Sequence, residues 1–338
     1  MGSGRNQTMT TKTKTESLTT AFTEQFNIKY PIICAPMFLV SSVKMVVSTC
    51  EAGGLGTFPA LNFRPVEKYF QAIKEIKTQT AKPFGINIIV QKSNKYQHKQ
   101  MEYAIEEKVP LIITSLGNPR EMIRLAHQVG TKVYCNVAGI EHAKKVADLG
   151  ADGLIAVGCG AGGHAGNISP FALIPYLVRN IDLPVVAAGN IVDGAGLAAI
   201  LSLGAAAAYI GTRFIASEEA EVIADFKEAI IKAQCEDIVN TEKVDGFPGN
   251  FIRNKALKSI GLETGVIEAI LSKSKRFKRW ISLSRAARSL LAGDKSKHSY
   301  KTVYSAGQGV GLIDRVISIP EIMEKMVWEY YEIKARLP

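Results

Sequence analysis

The sequence predicts a TIM (β/α)8 barrel with a small helical second domain inserted after the eighth strand, and three observations carry that prediction. Eight short β-rich runs alternate with helix-like segments between Pro31 and Thr212, the pattern of consecutive βα units. Several of these runs are apolar at nearly every position, as strands covered on both faces are. The alternative, a doubly wound open sheet, would carry a G-x-G-x-x-G turn after its first strand, and here that strand leads into APMFLVSS.

Residues 1–20 are rich in Thr, Ser and Lys and are assigned to a disordered tail, with MGSG as a candidate cloning remnant. The strands follow at 31–37, 55–58, 84–90, 111–116, 132–137, 153–158, 184–189 and 206–212. Helical patterning falls between them at 41–52, 65–79, 95–108, 118–129, 140–149, 171–180 and 193–203, with a further helix from near Ser217. The barrel is thereby assigned to 21–220. After it the rhythm breaks: 221–303 is more charged, reads as helical and is interrupted by VDGFPGNFIRN (244–254). This segment is assigned to a helical lid or substrate domain. Residues 304–338 return through YSAGQGVGLID to the barrel mouth and end in a helix.

With 338 residues and roughly 150 per domain, about two units are expected. A 47% apolar and 21% charged composition excludes a disordered chain, a collagen-like repeat and a short disulfide scaffold. No apolar run reaches the ~18 residues of a membrane span, and the N-terminus has no apolar signal core. The five cysteines (Cys34, Cys50, Cys135, Cys159, Cys235) are widely spaced without a C-x-x-C, which suits reduced thiols and a cytoplasmic location. The net charge of +10 is local: residues 271–301 hold ten Lys/Arg and one acid, leaving a near-neutral barrel. That distribution weakens a nucleic-acid reading. The basic segment reads first as the solvated face of an amphipathic helix, and second as a contact for an anionic partner such as acyl-carrier protein.

Ligands of such a barrel bind at the C-terminal ends of the strands, and these ends hold the unusual residues. GCGAGGHAG (158–166) follows strand six, AAGN (187–190) strand seven and IGTR (210–213) strand eight, while strand one runs into APM (35–37). Backbone N–H groups of Gly189, Asn190, Gly211 and Thr212, with the Thr212 hydroxyl, could cradle a phosphate. The same residues also suit plain βα turns. His164 stands in the glycine-rich loop, where an imidazole can act as a base or donor; a structural role bonded to backbone is the alternative. His98, His127, His142 and His298 read as surface residues. No second histidine or carboxylate pair stands at ligand spacing from His164, so no metal is expected, and no G-x-S-x-G elbow supports a serine triad. Cys159 reads as a small filler beneath the loop. Asn87 could bond a polar ring or cap its own turn.

Taken in order, YPIICAPM, EAGGLGTF, KPFGIN, GAGGHAG, LPVVAAGNIVDG, LGAAAAYIGTRFIASEE and SAGQGVGLI resemble the nitronate monooxygenase (2-nitropropane dioxygenase-like) family of FMN-dependent barrel flavoproteins. Flavin-dependent enoyl-acyl-carrier-protein reductases and NAD(P)H:quinone reductases share the pattern. The resemblance implies that Ala35, Pro36 and Met37 lie along FMN and that Asn87 meets its ring or ribityl chain. It implies further that Gly162 and Gly163 border the flavin, and that Gly189, Asn190, Gly211 and Thr212 hold its phosphate. Gln308 would close over the flavin edge, and His164 would be the active-site histidine. Three positions depart from the family: Gly160 stands where an acidic residue is common, Asn190 where a glycine is, and Asn136 where some quinone reductases carry a lysine. The implied reaction is oxidation of alkyl nitronates by molecular oxygen to a carbonyl compound and nitrite. The alternative is NAD(P)H-dependent reduction of a quinone or an enoyl thioester. The expected partners are then a small-molecule substrate and oxygen, with no membrane, and a homodimer is the oligomeric form considered.

Overall fold

Alternation along each strand decides where this chain keeps its core. The computed structural model describes residues 18–91, 94–260 and 302–336, so the basic segment 271–301 and residues 1–17 lie outside the described residues. Eight parallel strands close into a barrel: β1 (Ile32–Cys34), β2 (Leu55–Pro59), β3 (Gly85–Ile89), β4 (Leu111–Ser115), β5 (Lys132–Val137), β6 (Gly153–Val157), β8 (Val185–Ala188) and β9 (Ala207–Ile210). A two-residue strand, β7 (Gly163–His164), stands outside the ring. Ile33, Leu55, Leu111, Ile113, Tyr134, Ile155, Val186 and Ala207 form the cluster inside the barrel. Their neighbours Ile32, Cys34, Ile112, Val133, Leu154, Val185 and Ala208 belong instead to the main core shared with the helices. With both faces covered, apolar residues at odd and even positions alike are required, which explains the unbroken apolar runs.

The helices are α1 (Ala21–Phe26), α2 (Val43–Glu51), α3 (Val66–Gln79), α4 (Gln97–Glu106), α5 (Arg120–His127), α6 (Ile140–Asp148), α7 (Pro170–Asn180), α8 (Gly194–Ser202), α9 (Thr212–Ile215), α10 (Ala224–Lys232), α11 (Lys255–Ile260) and α12 (Ile319–Lys334). Several start on side-chain caps. Ser42 accepts from Met45 N at 3.3 Å, and Asp193 from Gly196 N at 2.8 Å. Glu219, buried after β9, accepts from Ile319 N with both carboxylate oxygens at 3.1 and 2.9 Å, fixing the start of α12. That helix packs on α8 and α2.

Three expectations change. The tail assigned to 1–20 ends earlier, because Leu18 is buried and Thr20 both caps α1 and donates its hydroxyl to Ala206 O at 2.7 Å. The helix α1 itself was not expected; six residues are too few to show a period. It seals the barrel's N-terminal end: Phe22 and Phe26 meet the Tyr134 ring with centroids 5.6 and 6.0 Å away, and Tyr134 OH donates to Gln25 Oε1 at 2.6 Å. The helix expected from near Ser217 is divided between the single turn α9 and α10, separated by a parallel bridge between Ser217 and Ile317.

The third change concerns the insertion. Its described part holds α10 and α11 but also two strands, β10 (Ile238–Thr241) and β11 (Gly249–Ile252), which with β7 form a three-stranded antiparallel sheet in the order β10-β11-β7. VDGFPGNFIRN is therefore a turn leading into a strand. Phe251, Leu257 and Val303 form a small separate core beneath it. Among the described residues, no helix is long and apolar enough to cross a membrane.

Candidate active site

The C-terminal mouth of the barrel has two polar walls. They face one another because β3 and β4 stand four places from β8 and β9 in the eight-strand ring. On the first wall, Asn87, Ser115 and Asn136 continue the inward-facing positions of β3, β4 and β5. Asn87 Nδ2 donates to Ser115 Oγ at 2.6 Å and to Ile113 O at 3.2 Å, and Asn136 Nδ2 donates to Ser115 Oγ at 2.9 Å. Asn136 Oδ1 is buried and has no partner among the described residues. An acceptor buried in this way costs about 1–3 kcal/mol until a donor reaches it.

The second wall is built from backbone. Ala35 N donates to Ile210 O at 2.9 Å, and the chain then leaves β1 through Pro36 and Met37. Asn62 clamps this turn: its Nδ2 donates to Met37 O (3.0 Å) and Ser41 O (2.9 Å), and its Oδ1 accepts from Leu39 N (2.9 Å). A Cβ on Gly211 would lie 3.5 Å from Met37 Sδ, so the first and eighth strand ends adjoin. Gly189 and Asn190 both have positive φ, 115° and 61°, and both are residue types that tolerate it.

The 304–312 loop closes over these turns. Gly307 N donates to Thr212 Oγ1 at 2.9 Å, and Gln308 N donates to Gly160 O at 3.2 Å. The backbones touch: a Cβ on Gly162 would lie 2.8 Å from Gly307 N, and one on Gly307 would lie 2.5 Å from Gly160 O. The Gln308 side chain is exposed, so its backbone makes this contact. Two of the departures noted above also prove to be one local arrangement. A Cβ on Gly160 would lie 2.0 Å from Asn190 Nδ2, so the Asn190 amide fills the room a side chain at 160 would take.

The structure thus gathers Ala35, Met37, Gly162, Gly189, Asn190, Gly211, Thr212 and Gln308 on one side of the mouth, and Asn87 on the other. His164 stands on β7, half exposed, paired with Gly249 of β11. Its Nε2 lies 2.5 Å from Asp245 Oδ2, and its ring meets Phe247 edge-on at 5.4 Å. Asp245 is 81 positions away in sequence and buried. Sequence reasoning missed it, although the D-G and P-G signals of VDGFPGN mark a turn. It also missed Asn250, whose Nδ2 donates to Cys159 O (2.8 Å) and Ala161 O (2.7 Å) and so pins the histidine loop to β11. Nothing in the local pattern marks Asn62 or Ser115.

Thiol chemistry has little support here. Burial pushes Cys34 and Cys50 up to about 12 and Cys135 to about 11, and Cys159 is half-buried under the loop. Among the described residues, no group of three or more His, Cys, Asp or Glu side chains is placed to hold a metal ion.

The barrel thus sets glycine turns on one side of its mouth, an amide wall on the other and a carboxylate-paired histidine on the strand after β6. The family model for nitronate monooxygenase matches residues 19–329, and the chain belongs to that family. It is 32% identical to a (3aS,4S,5R,7aS)-5-hydroxy-7a-methyl-1-oxo-octahydro-1H-indene-4-carboxyl-CoA dehydrogenase of Rhodococcus jostii, covering 92% of this chain and 95% of the relative. It is 30% identical to a probable nitronate monooxygenase of Staphylococcus saprophyticus, covering 70% of this chain and 79% of that one. Among solved structures it is similar to FabK of Thermotoga maritima, with a TM-score of 0.80, 33% identity, and 95% and 98% of the two chains covered.

Enzymes of this family use a flavin, and the mouth fits one. A flavin has a phosphate at one end and a ring edge bearing both donors and acceptors at the other. The cradle of Gly189, Asn190, Gly211 and Thr212 suits the first. The unpaired Asn136 Oδ1 suits a donor on the second. Gly307→Ala forces the closing loop off Gly160. At about 1–3 kcal/mol for such overpacking, flavin retention should fall roughly tenfold or more. The ratio of visible flavin absorbance to protein in the purified variant measures it, and full retention would show that the loop does not depend on this contact.

Proposed function

We propose that this chain is an FMN-dependent oxidase of alkyl nitronates, using molecular oxygen to yield a carbonyl compound and nitrite. The observation that carries this reading is the half-exposed His164 with its buried Asp245 partner, on the short strand that follows the C-terminal end of β6. In this reading Gly189, Asn190, Gly211 and Thr212 hold the FMN phosphate, while Ala35–Met37 and Asn87 border the ring. Gly162 and Gly163 shape the loop that brings His164 to the rim, and Gln308 closes the opposite edge. The flavin supplies electron transfer between a carbon acid and oxygen. His164 holds the anionic nitro group of the substrate, or takes the α-proton when the substrate arrives as a neutral nitroalkane. The sealed N-terminal end of the barrel leaves the opposite mouth as the approach for both substrates.

A second reading is favoured by one observation. The carboxyl-CoA dehydrogenase and FabK are similar to this chain over 92% and 95% of its length, against 70% for the staphylococcal nitronate monooxygenase. In that reading NAD(P)H delivers hydride for reduction of a quinone or an enoyl thioester, and the basic residues 271–301 meet an anionic carrier. Anaerobic mixing separates the two. The nitronate reading expects propyl-2-nitronate to bleach the yellow protein and NADH and NADPH to leave it yellow. Rapid bleaching by either nicotinamide, with none by the nitronate, replaces it with the second reading.

A further inference from the structure

We infer that Asp245 is a positioning residue for His164, so that the insertion after the barrel completes the active site rather than merely covering it. This rests on the reading of His164 as the group that handles the substrate. Asp245 is 5% exposed, and both of its carboxylate oxygens are engaged within the described structure. Oδ1 accepts from Phe247 N at 3.1 Å, which fixes the carboxylate in its own turn, while Oδ2 takes the His164 contact at 2.5 Å. The turn is fixed in its turn by the sheet. β11 pairs Gly249 with His164 and Asn250 with Gly163, and the Asn250 amide ties the loop carbonyls of Cys159 and Ala161 to the same strand. Histidine and carboxylate are therefore held from both sides by one small antiparallel sheet, not by a flexible loop.

The chemistry follows from that geometry. With Nε2–H donating to Asp245, Nδ1 is left as the ring's acceptor, and a proton taken there leaves an imidazolium beside a buried carboxylate. The carboxylate fixes the ring's tautomer and orientation. Among the described residues, the elements packed on the ring are β7, the 242–248 turn and β11. The charged groups on them are Asp245, which touches the ring, and Glu242 and Lys243, which precede it on the turn out of β10.

Asp245→Asn tests this, because asparagine keeps an oxygen for Phe247 N and so preserves the turn. Histidine NMR of the flavin-loaded protein follows His164, assigned as the signal lost in His164→Ala. In Asp245→Asn the side-chain Nδ2 donates where Oδ2 accepted, so the neutral ring should change from the Nε2–H to the Nδ1–H tautomer, read from its ring 15N shifts. Turnover of propyl-2-nitronate should fall about 10- to 100-fold, and His164→Ala combined with Asp245→Asn should be no slower than His164→Ala alone. An unchanged tautomer in Asp245→Asn overturns the inference, as does additive loss in the double variant. A tautomer that changes while wild-type protein fails to oxidise the nitronate leaves Asp245 as the partner of His164 and overturns the proposed reaction instead.

Discussion

His164→Ala keeps its flavin and its fold and loses about 10²- to 10⁴-fold in turnover, the range associated with removing a positioned acid–base group. The separation of binding from turnover is the informative part. His164 lies on β7, outside the barrel ring, and its hydrogen bond is to Asp245 rather than to any residue of the glycine cradle. The cradle is held by other bonds, Gly307 N to Thr212 Oγ1 and Gln308 N to Gly160 O among them. Removing the imidazole leaves these untouched. Steady-state oxygen consumption with propyl-2-nitronate, alongside the visible spectrum, measures both quantities. A variant with normal turnover would remove His164 from the chemistry.

The second large effect is on stability. Phe22→Ala should cost about 3–5 kcal/mol, the usual range for deleting a fully buried phenylalanine. Phe22 is 0% exposed and belongs to the cluster inside the barrel, although it comes from α1 and not from any strand. Its ring lies 4.7 Å from Phe26 and 5.6 Å from Tyr134, so truncation opens a void at the foot of the barrel that Tyr134, bonded to Gln25, is not free to fill. Urea unfolding followed by circular dichroism reads the loss as a lower midpoint at unchanged slope. A midpoint within experimental scatter of wild type would mean that α1 is not part of the barrel's core.

Much of the architecture was legible because periodicity is a local property. Runs such as FGINIIV and PVVAAG announce buried parallel strands by themselves, and the ends of the strands then locate the mouth. The positions of Gly189, Asn190, Gly211 and Thr212 were legible for the same reason, since they sit within a residue or two of strands that could be placed. What escaped depends on distant pairings. Asp245 acquires its meaning only when β11 lies against β7, and GNFI is too short to declare itself a strand. Asn62 and Ser115 were invisible because each works through a side-chain bond to another strand's loop or end. The α1 plug escaped because Phe22 and Phe26 show an apolar face only once Tyr134 is known to point down the barrel.

The meeting of Gly160 with Asn190 has a consequence for how this sequence could have been reached. A side chain at 160 begins 2.0 Å from Asn190 Nδ2 and 2.2 Å from its Cγ, whereas a glycine at 190 takes the φ of 61° without strain. A chain carrying an acid at 160 and glycine at 190 must therefore lose the acid before it gains the asparagine, and the return journey runs in the opposite order. The two positions are mutually contingent: what is permitted at one depends on what history has already placed at the other.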